Sequence, residues 1–489
     1  MIAAAAILGL SACAVTDPGV TAVESGTAGD DGGLFTTDSV PVEPVFEVRP
    51  GVVDFGDAGP QHPEYDGYLT AAFGDIQEFW AEAYPATYGT SWEPLSGGIY
   101  AAYPEREDPI PGCGSPVSTY QDVQQGTAFY CIDGDFMAYD DADGLPALVE
   151  LLGKEAVAVV LAHEFGHAIQ ARAGEWDQLG VLKEQQADCF AGAWTAHVAS
   201  GASDVIRFDD AAVRAGLVAM IYVRDPIEGE GLSDPLAHGT GFDRVGAFQD
   251  GFEGGPSRCA TFFTDDRLST LIDIPFDTTD VFGGNLPIID ESPDPELGPN
   301  DIATLIPASL DFYWTELAAA NGVPFTAPTF QPFATAGPLP DCPDIDPTSW
   351  PSSVQFCAAD NVVYWDVDFA TELSLDELTG DMSVGYLFSH AYADAIQRAL
   401  GSPADGEPRA LYSDCLTGAW VSSIVPPIPE DRENQLVLSA GDLDEAIVTA
   451  IARADEHTDD DVNGSAFEKI TAFRAGVLGG LNVCRDLAG

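Results

Sequence analysis

Two histidines four residues apart with a glutamate between them, His163-Glu164-Phe165-Gly166-His167, are the residues of this chain best suited to do chemistry. On a helix, residues four apart share a face, so both imidazoles can meet one metal ion. Glu164 then falls one step round, beside the ion rather than on it, where a general base for a bound water must stand. A catalytic zinc takes three protein ligands and leaves its fourth position to water. The third is expected from Glu184-Gln185-Gln186-Ala187-Asp188, where a second helix would put Glu184 and Asp188 one turn apart and facing the same way. Glu184 is assigned to the metal. Asp188 is expected behind it, accepting a hydrogen bond from the non-ligating nitrogen of His163 and so fixing that ring's tautomer. The competing reading is a chance His-Glu-x-x-His on a surface helix, which the nearby pair of carboxylates makes harder to sustain.

The elements that must position these groups can be read from periodicity. Lys154 to Ala173 has few turn-formers and places Val157, Val160, Leu161, Phe165, Ala168 and Ile169 at the spacing of one buried helix face. An earlier helix is predicted over Tyr68 to Tyr84, with Phe73, Ile76, Phe79 and Trp80 on one side. Short strands are predicted at Thr127 to Ile132 and Phe136 to Tyr139, ahead of the metal-site helix.

Composition bounds what such a site can serve. The chain has 489 residues, with 18 Lys plus Arg against 80 Asp plus Glu, a formal net charge of −62. So acidic a surface repels nucleic acid and anionic lipid, which carry the same sign. With 46% apolar residues the chain can nonetheless bury sizeable cores. No run approaches the roughly 18 apolar residues of a membrane span. Met1 to Cys13 reads as an export segment: Ile2 to Leu10 is apolar and small, and Leu10-Ser11-Ala12-Cys13 matches the lipobox at which bacterial lipoprotein signals are cut and the cysteine lipidated. No Lys or Arg precedes the apolar run, which points to a start codon further upstream. Residues 14–59, rich in Gly, Asp, Thr and Pro, read as a flexible tether. The expected location is the cell envelope, on the outer face of the cytoplasmic membrane, held by the lipid at Cys13 alone.

A repeat decides the domain organisation. Asp188-Cys189 followed by Gly192-Ala193-Trp194 recurs as Asp414-Cys415 followed by Gly418-Ala419-Trp420, and Phe129-Tyr130-Cys131 recurs as Gln355-Phe356-Cys357. Cys131 and Cys357 are 226 residues apart, as are Cys189 and Cys415, while Cys259 and Cys484 are 225 apart. Two related domains are therefore expected, residues 60–263 and 301–489, joined by a linker over 264–300. Setting Cys13 aside, eight cysteines remain, an even number that suits disulfides in an exported chain. If each copy closes its own bridges, the economical scheme is Cys113–Cys131, Cys189–Cys259, Cys342–Cys357 and Cys415–Cys484. The second copy lacks the metal chemistry, because it reads His390-Ala391-Tyr392-Ala393-Asp394 and has Ala410 in the place of Glu184. Its His390 and Asp414 are expected to survive as a buried hydrogen-bonded pair.

The first copy resembles the bacterial putative neutral zinc metallopeptidase family. The likeness rests on Phe129-Tyr130-Cys131, Leu161 to His167, Ala187 to Trp194, His238-Gly239-Thr240, Arg244 and Gly251 to Gly255 through Cys259. The family's Glu-Leu-Gln-Ala-Asp reads Glu184-Gln185-Gln186-Ala187-Asp188 here, with both carboxylates kept. The resemblance implies an α+β, mainly helical fold of gluzincin type: two tandem zincin-like domains, each with a small sheet against a metal-site helix pair, the second inactive. It implies a zinc-dependent peptidase, an endopeptidase by expectation, acting on protein or peptide through a zinc-activated water with Glu164 as base. His238 becomes a candidate donor to the oxyanion, against the alternative of a solvated or structural histidine in a Gly-rich loop. Arg244 reads better as a structural salt bridge than as a substrate contact. The chain could act as a monomer whose second copy serves as an internal partner shaping the cleft. The runner-up function is a non-catalytic envelope lipoprotein that binds a partner around a structural zinc, a role in which Glu164 would have no use.

Two acidic runs have calcium-loop spacing. Asp141-Ala142-Asp143-Gly144 with Glu150 has Tyr139 at the first ligand position, and Asp459, Asp461 and Asn463 before Gly464 have Ile470 where the bidentate glutamate belongs. Both read as acidic turns.

Overall fold

The computed structural model describes residues 52–124, 127–224, 237–274, 285–293, 299–376, 378–426, 436–455 and 462–487. Cys13, the export segment, most of the tether, and Asp459 with Asp461 lie outside the described residues. The fold is mainly helical with small sheets and divides into two compact units, one ending at Leu271 and the other beginning at Ile272 apart from an undescribed stretch. Among the described residues no helix is long and apolar enough to cross a membrane.

The first unit runs α1 (Asp66–Tyr88), β1 (Gly98–Ala102), β2 (Ile110–Pro111), β3 (Val117–Ser118), α2 (Tyr120–Gln124), β4 (Ala128–Cys131) and β5 (Phe136–Asp140). Then follow α3 (Gly144–Leu152), α4 (Lys154–Ala173), α5 (Gly180–Ala199), α6 (Asp210–Tyr222), α7 (Gly241–Cys259) and α8 (Asp265–Leu268). The sheet has the order β1-β5-β4, with β1 parallel and β4 antiparallel to β5. All five residues of β5 are buried, so this central strand shows no alternation and is apolar up to its last residue, Asp140.

Helix α4 lies at the centre. The sequence predicts one buried face, but every residue from Ala156 to Gln170 is buried. The alanines between the large residues make this possible, because α1, α3, α5 and α6 all pack on α4 and small side chains let them approach from several sides. The helix stops at Gly174, whose φ of +74° favours a residue without a Cβ. A Cβ on Gly166, inside the His-Glu-x-x-His run, would come within 3.0 Å of the Ala187 Cα, so this glycine sets how closely α5 approaches. The contact between α5 and α7 is closer still. A Cβ at Gly192 would collide with the Phe248 carbonyl oxygen, and one at Gly251 with the Cys189 carbonyl oxygen. The Cys189–Cys259 disulfide ties the same two helices together.

The ends of this unit differ from the sequence reading. Val53 and Asp54, expected in the tether, are part of the fold: Val53 is buried, and Asp54 bridges to Tyr100 and pairs with Arg106 at 3.0 Å. The first residues of the expected linker also pack on the unit. Arg267 reaches Asp250 at 2.7 Å and Gln185 at 2.8 Å, while Leu271 lies against Val181, Leu182 and Ala237. Composition marks such stretches as loops, but not whether one apolar or basic residue pins them down.

The second unit contains α9 (Ile302–Ala320), β6 (Thr329–Phe333), β7 (Val354–Cys357), β8 (Val362–Asp366), α10 (Val367–Leu375), α11 (Asp381–Leu400), α12 (Glu407–Val421), α13 (Asp442–Ala452) and α14 (Ala466–Gly479). A 3-10 segment, Gly480–Leu487, follows. Its sheet has the order β6-β8-β7, again with the first strand parallel and the other antiparallel to the middle one. Gly418 and Gly476 bring α12 and α14 into backbone contact at Phe473 and Cys415. All four disulfides follow the scheme expected if each half closes its own bridges: Cys113–Cys131 and Cys189–Cys259 in the first unit, Cys342–Cys357 and Cys415–Cys484 in the second.

Candidate metal centre

Helices α4 and α5 bring His163, His167 and Glu184 together, all buried, with their ligand atoms within 4.8 Å of one another. Glu184 Oε2 stands 3.2 Å from His163 Nε2 and 3.3 Å from His167 Nε2. The distances suit hydrogen bonds, yet among the described residues Oε2 and His163 Nε2 have no hydrogen-bond partner. The hydrogen bonds on the far side of each ring explain this. His163 Nδ1 lies 2.7 Å from Asp188 Oδ1, and His167 Nδ1 lies 2.9 Å from Gln170 Oε1. Both Nδ1 atoms therefore carry the proton in the neutral rings, and both Nε2 atoms turn a lone pair inward. Three electron-pair donors facing one another repel unless a cation lies between them. Two ligands each about 2.0–2.1 Å from a tetrahedral zinc would stand about 3.3 Å apart, so the donor set fits that ion in both type and spacing.

Burial pushes the Glu184 carboxyl up, but His167 and His163 outweigh this and hold it well below the usual carboxylate range. For His163, burial acts to lower its pKa, while the charge and hydrogen bond of Asp188 reverse the sign and raise it. Glu164 is 0% exposed, and among the described residues neither of its oxygens has a hydrogen-bond partner. Burial raises its pKa, with His163 and His167 pulling the other way. Trp176 stands edge-on to His167, 6.1 Å between ring centroids, and to Tyr130 of the edge strand β4 at 6.0 Å. His238 is buried rather than solvated, and its charge acts on both Glu164 and Glu184. Its segment has Gly239 at a φ of +94°, and Thr240 then caps α7.

A further layer fixes the ligands. Arg244 on α7 grips Asp188 with two donors, Nε to Oδ2 at 3.0 Å and Nη2 to Oδ1 at 2.7 Å, and its Nη1 donates to the Val223 carbonyl. This is the structural salt bridge expected of Arg244. Gln170 was not foreseen. Its amide donates to the Lys183 carbonyl at 2.6 Å while its carbonyl holds His167, so one side chain links the metal helix to α5. The available signal was its position three residues after His167, on the same helix face.

Comparison with known proteins agrees with this geometry. Residues 118–262 match the putative neutral zinc metallopeptidase family. The matched stretch contains His163, Glu164, His167, Glu184, Asp188, Gln170, His238 and Arg244. Among curated proteins, the chain is 30% identical over 154 residues to the uncharacterized protein YpfJ of Escherichia coli strain K12, covering 27% of this chain and 53% of that protein. It is 30% identical over 177 residues to the uncharacterized protein Rv2575 of Mycobacterium tuberculosis, covering 31% of this chain and 58% of that one. The chain thus spans little more than half the length of the curated relatives it matches. No solved structure matches it significantly.

The second unit lies outside the family match and holds different chemistry at the positions that the sequence reading set against the metal site. Asp394, in the place of His167, pairs with Arg409 at 2.7 Å. Asp414 accepts from Lys469 at 2.8 Å and from the Tyr386 hydroxyl. The expected His390–Asp414 hydrogen bond is not formed: the pair stands at 3.5 Å, and His390 Nε2 has no hydrogen-bond partner. Lys469 supplies a permanent charge to Asp414, which a neutral imidazole cannot match. Fixed cations thus pair with both Asp394 and Asp414.

The first calcium-like run follows strand β5 rather than a helix, so it is not an EF-hand loop, and two of the acids there are taken up by the turn. Asp140 accepts from the amides of Ala142, Asp143 and Gly144, and Asp143 accepts from Tyr120 and Gln124.

Proposed function

We propose that the chain is a zinc-dependent peptidase whose first unit carries the active site. One observation carries the reading: a fully buried carboxylate, Glu164, kept without a hydrogen-bond partner among the described residues, beside three converging ligand atoms. An unpaired buried carboxylate costs stability, and a structural metal has no need of one. His163, His167 and Glu184 would hold the zinc; when bound, it would polarise the scissile carbonyl and acidify a water. Glu164 takes a proton from that water as its oxygen bonds to the carbonyl carbon. It then passes the proton to the departing amine nitrogen as the C–N bond breaks. His238, buried within electrostatic reach of Glu164, is the proposed donor to the developing oxyanion. The test is a digest of an unbiased peptide library by zinc-saturated protein, read by mass spectrometry. New termini that depend on Glu164 support the reading, and an undigested library overturns it.

We further propose that the second unit is a degenerate zincin-like copy without activity. The like sheet connectivity, the paired disulfides, the two glycine contacts and the tryptophans Trp194 and Trp420 on matching helices support common descent. A His163→Ala/His167→Ala double variant leaves that unit untouched. It is expected to hold no stoichiometric zinc and to hydrolyse nothing; residual zinc-dependent turnover would refute the assignment.

The proposed location remains the cell envelope, with Cys13 as the lipid attachment point and the four disulfides as support for an oxidising compartment. Acyl labelling that Cys13→Ser abolishes is the expected result. Labelling that persists in that variant, or none in the parent, removes the anchor.

A further inference from the structure

A second group of buried oxygens lies in the first unit, where β5 runs out toward α3. Tyr139 and Asp141 are two residues apart on this extended stretch and point to the same side. The Asp141 amide continues the strand pairing by donating to the Ala102 carbonyl at 2.8 Å. His62 ties this strand end to the first turn of α1. Its backbone N–H donates to Asp66 Oδ2 at 2.7 Å, its ring Nε2 lies 2.7 Å from the Asp141 carbonyl oxygen, and its ring stacks on Tyr65 at 4.9 Å. Tyr65, Asp66, Tyr139 and Asp141 are thereby drawn to one place, and none is more than 3% exposed.

These side chains do not satisfy one another. Among the described residues neither carboxylate oxygen of Asp141 has a hydrogen-bond partner, nor does Asp66 Oδ1, nor does either tyrosine hydroxyl. The charges acting on Asp141 are the carboxylates of Asp66, Asp140 and Glu64. The cations felt by its neighbours are His62, which acts on Asp66, and Arg106, which acts on Tyr139. Arg106 is already engaged by Asp54 and by the carbonyls of Ala101 and Asp108. Asp140 is spent on the turn amides of residues 142–144. Buried carboxylates left in this state are costly unless paired or bound to a metal.

We propose that this pocket binds a hard divalent cation of the calcium class, held by Asp141 and the open oxygen of Asp66, with the phenol oxygens of Tyr65 and Tyr139 beside it. All the donors are oxygen, which disfavours zinc. Calcium tolerates an irregular shell of six to eight oxygens completed by water, whereas magnesium demands a near-ideal octahedron. The ion would pin the chain entering α1 to the strand leading into α3 and the metal helix. The site is independent of the zinc centre and of the peptidase reading.

The rival occupant is a proton. Burial first, and then the neighbouring carboxylates, push the Asp141 carboxyl up to about 8. A carboxyl whose folded pKa lies above its unfolded value stabilises the fold at low pH and loses that contribution as pH rises through the folded value. The decisive measurements are therefore made at pH 8.5 on the full, zinc-saturated chain: equilibrium dialysis with radioactive calcium, and thermal unfolding with and without calcium. The expected result is one tight calcium per chain and a rise in midpoint of about 5 °C at saturation. Asp141→Asn should lose both, Tyr139→Phe should weaken binding several-fold, and His167→Ala, which spoils only the zinc site, should keep both. Diffuse calcium binding to so acidic a surface would be equal in parent and Asp141→Asn. That equality would overturn the proposal, as would a parent indifferent to calcium alongside a more stable Asp141→Asn, which is the proton's signature.

Discussion

Glu164→Gln in zinc-saturated protein is expected to lower peptide turnover by about 10²–10⁴-fold, the range lost when a positioned general base is removed. The amide has the shape of the carboxylate but cannot accept the proton. Glu164 makes no hydrogen bond and is sealed from solvent, so the substitution breaks nothing structural and removes an unpaired buried charge. Zinc content should therefore match the parent, and the unfolding midpoint should stay level or rise. Initial rates on the best peptide from the library, measured beside zinc content, check all of this. Equal rates at equal zinc would leave a metal-binding protein without peptidase chemistry, in keeping with the runner-up reading of a partner-binding lipoprotein.

Arg244→Met should be the most damaging single change to stability in the first unit, at about 3–5 kcal/mol, because it strands the fully buried Asp188 carboxylate without its guanidinium. Burial pushes the Asp188 carboxyl up, and Arg244 and His163 together more than reverse it, holding it below its usual value. The stabilisation is therefore present above the unfolded carboxylate value and is lost as pH falls through the folded one. Zinc affinity should also fall by about 10–100-fold, since Asp188 orients His163. Arg244→Lys keeps the charge but loses the two-pronged grip on both oxygens, so an intermediate loss is expected. Urea unfolding near neutral pH measures the change. A loss below about 1 kcal/mol for Arg244→Met would mean that the ion pair does not hold the site together.

Much of this arrangement was legible in the sequence because helix geometry converts spacing directly into position. His163 and His167 share a face at an offset of four, and Glu184 with Asp188 repeats the offset on the next helix. The disulfide pairing was legible because three of the four cysteine pairs across the repeat keep an offset of 225 or 226, and a scheme closed within each half gives every bridge a counterpart. What stayed hidden depended on packing rather than period. The full burial of α4 was concealed by its alanines, which carry little hydrophobic signal yet allow close approach from all sides. The role of Gln170 depends on which way its side chain turns. In the second unit the His390–Asp414 pair was expected from its persistence alone, and the competing ammonium of Lys469, more than fifty residues further along, could not be anticipated from either residue.

The glycines at 192 and 251 let two main chains touch, and main chains do not change rotamer. The separation between the helix bearing Glu184 and Asp188 and the helix bearing Arg244 is thereby set by peptide units and a covalent sulfur link, not by flexible side chains. The recess for the ion is accordingly a mould cast before its contents arrive. Metal uptake should then resemble docking into a rigid seat more than the folding of a finger around its ion, with little chain entropy spent at the moment of capture.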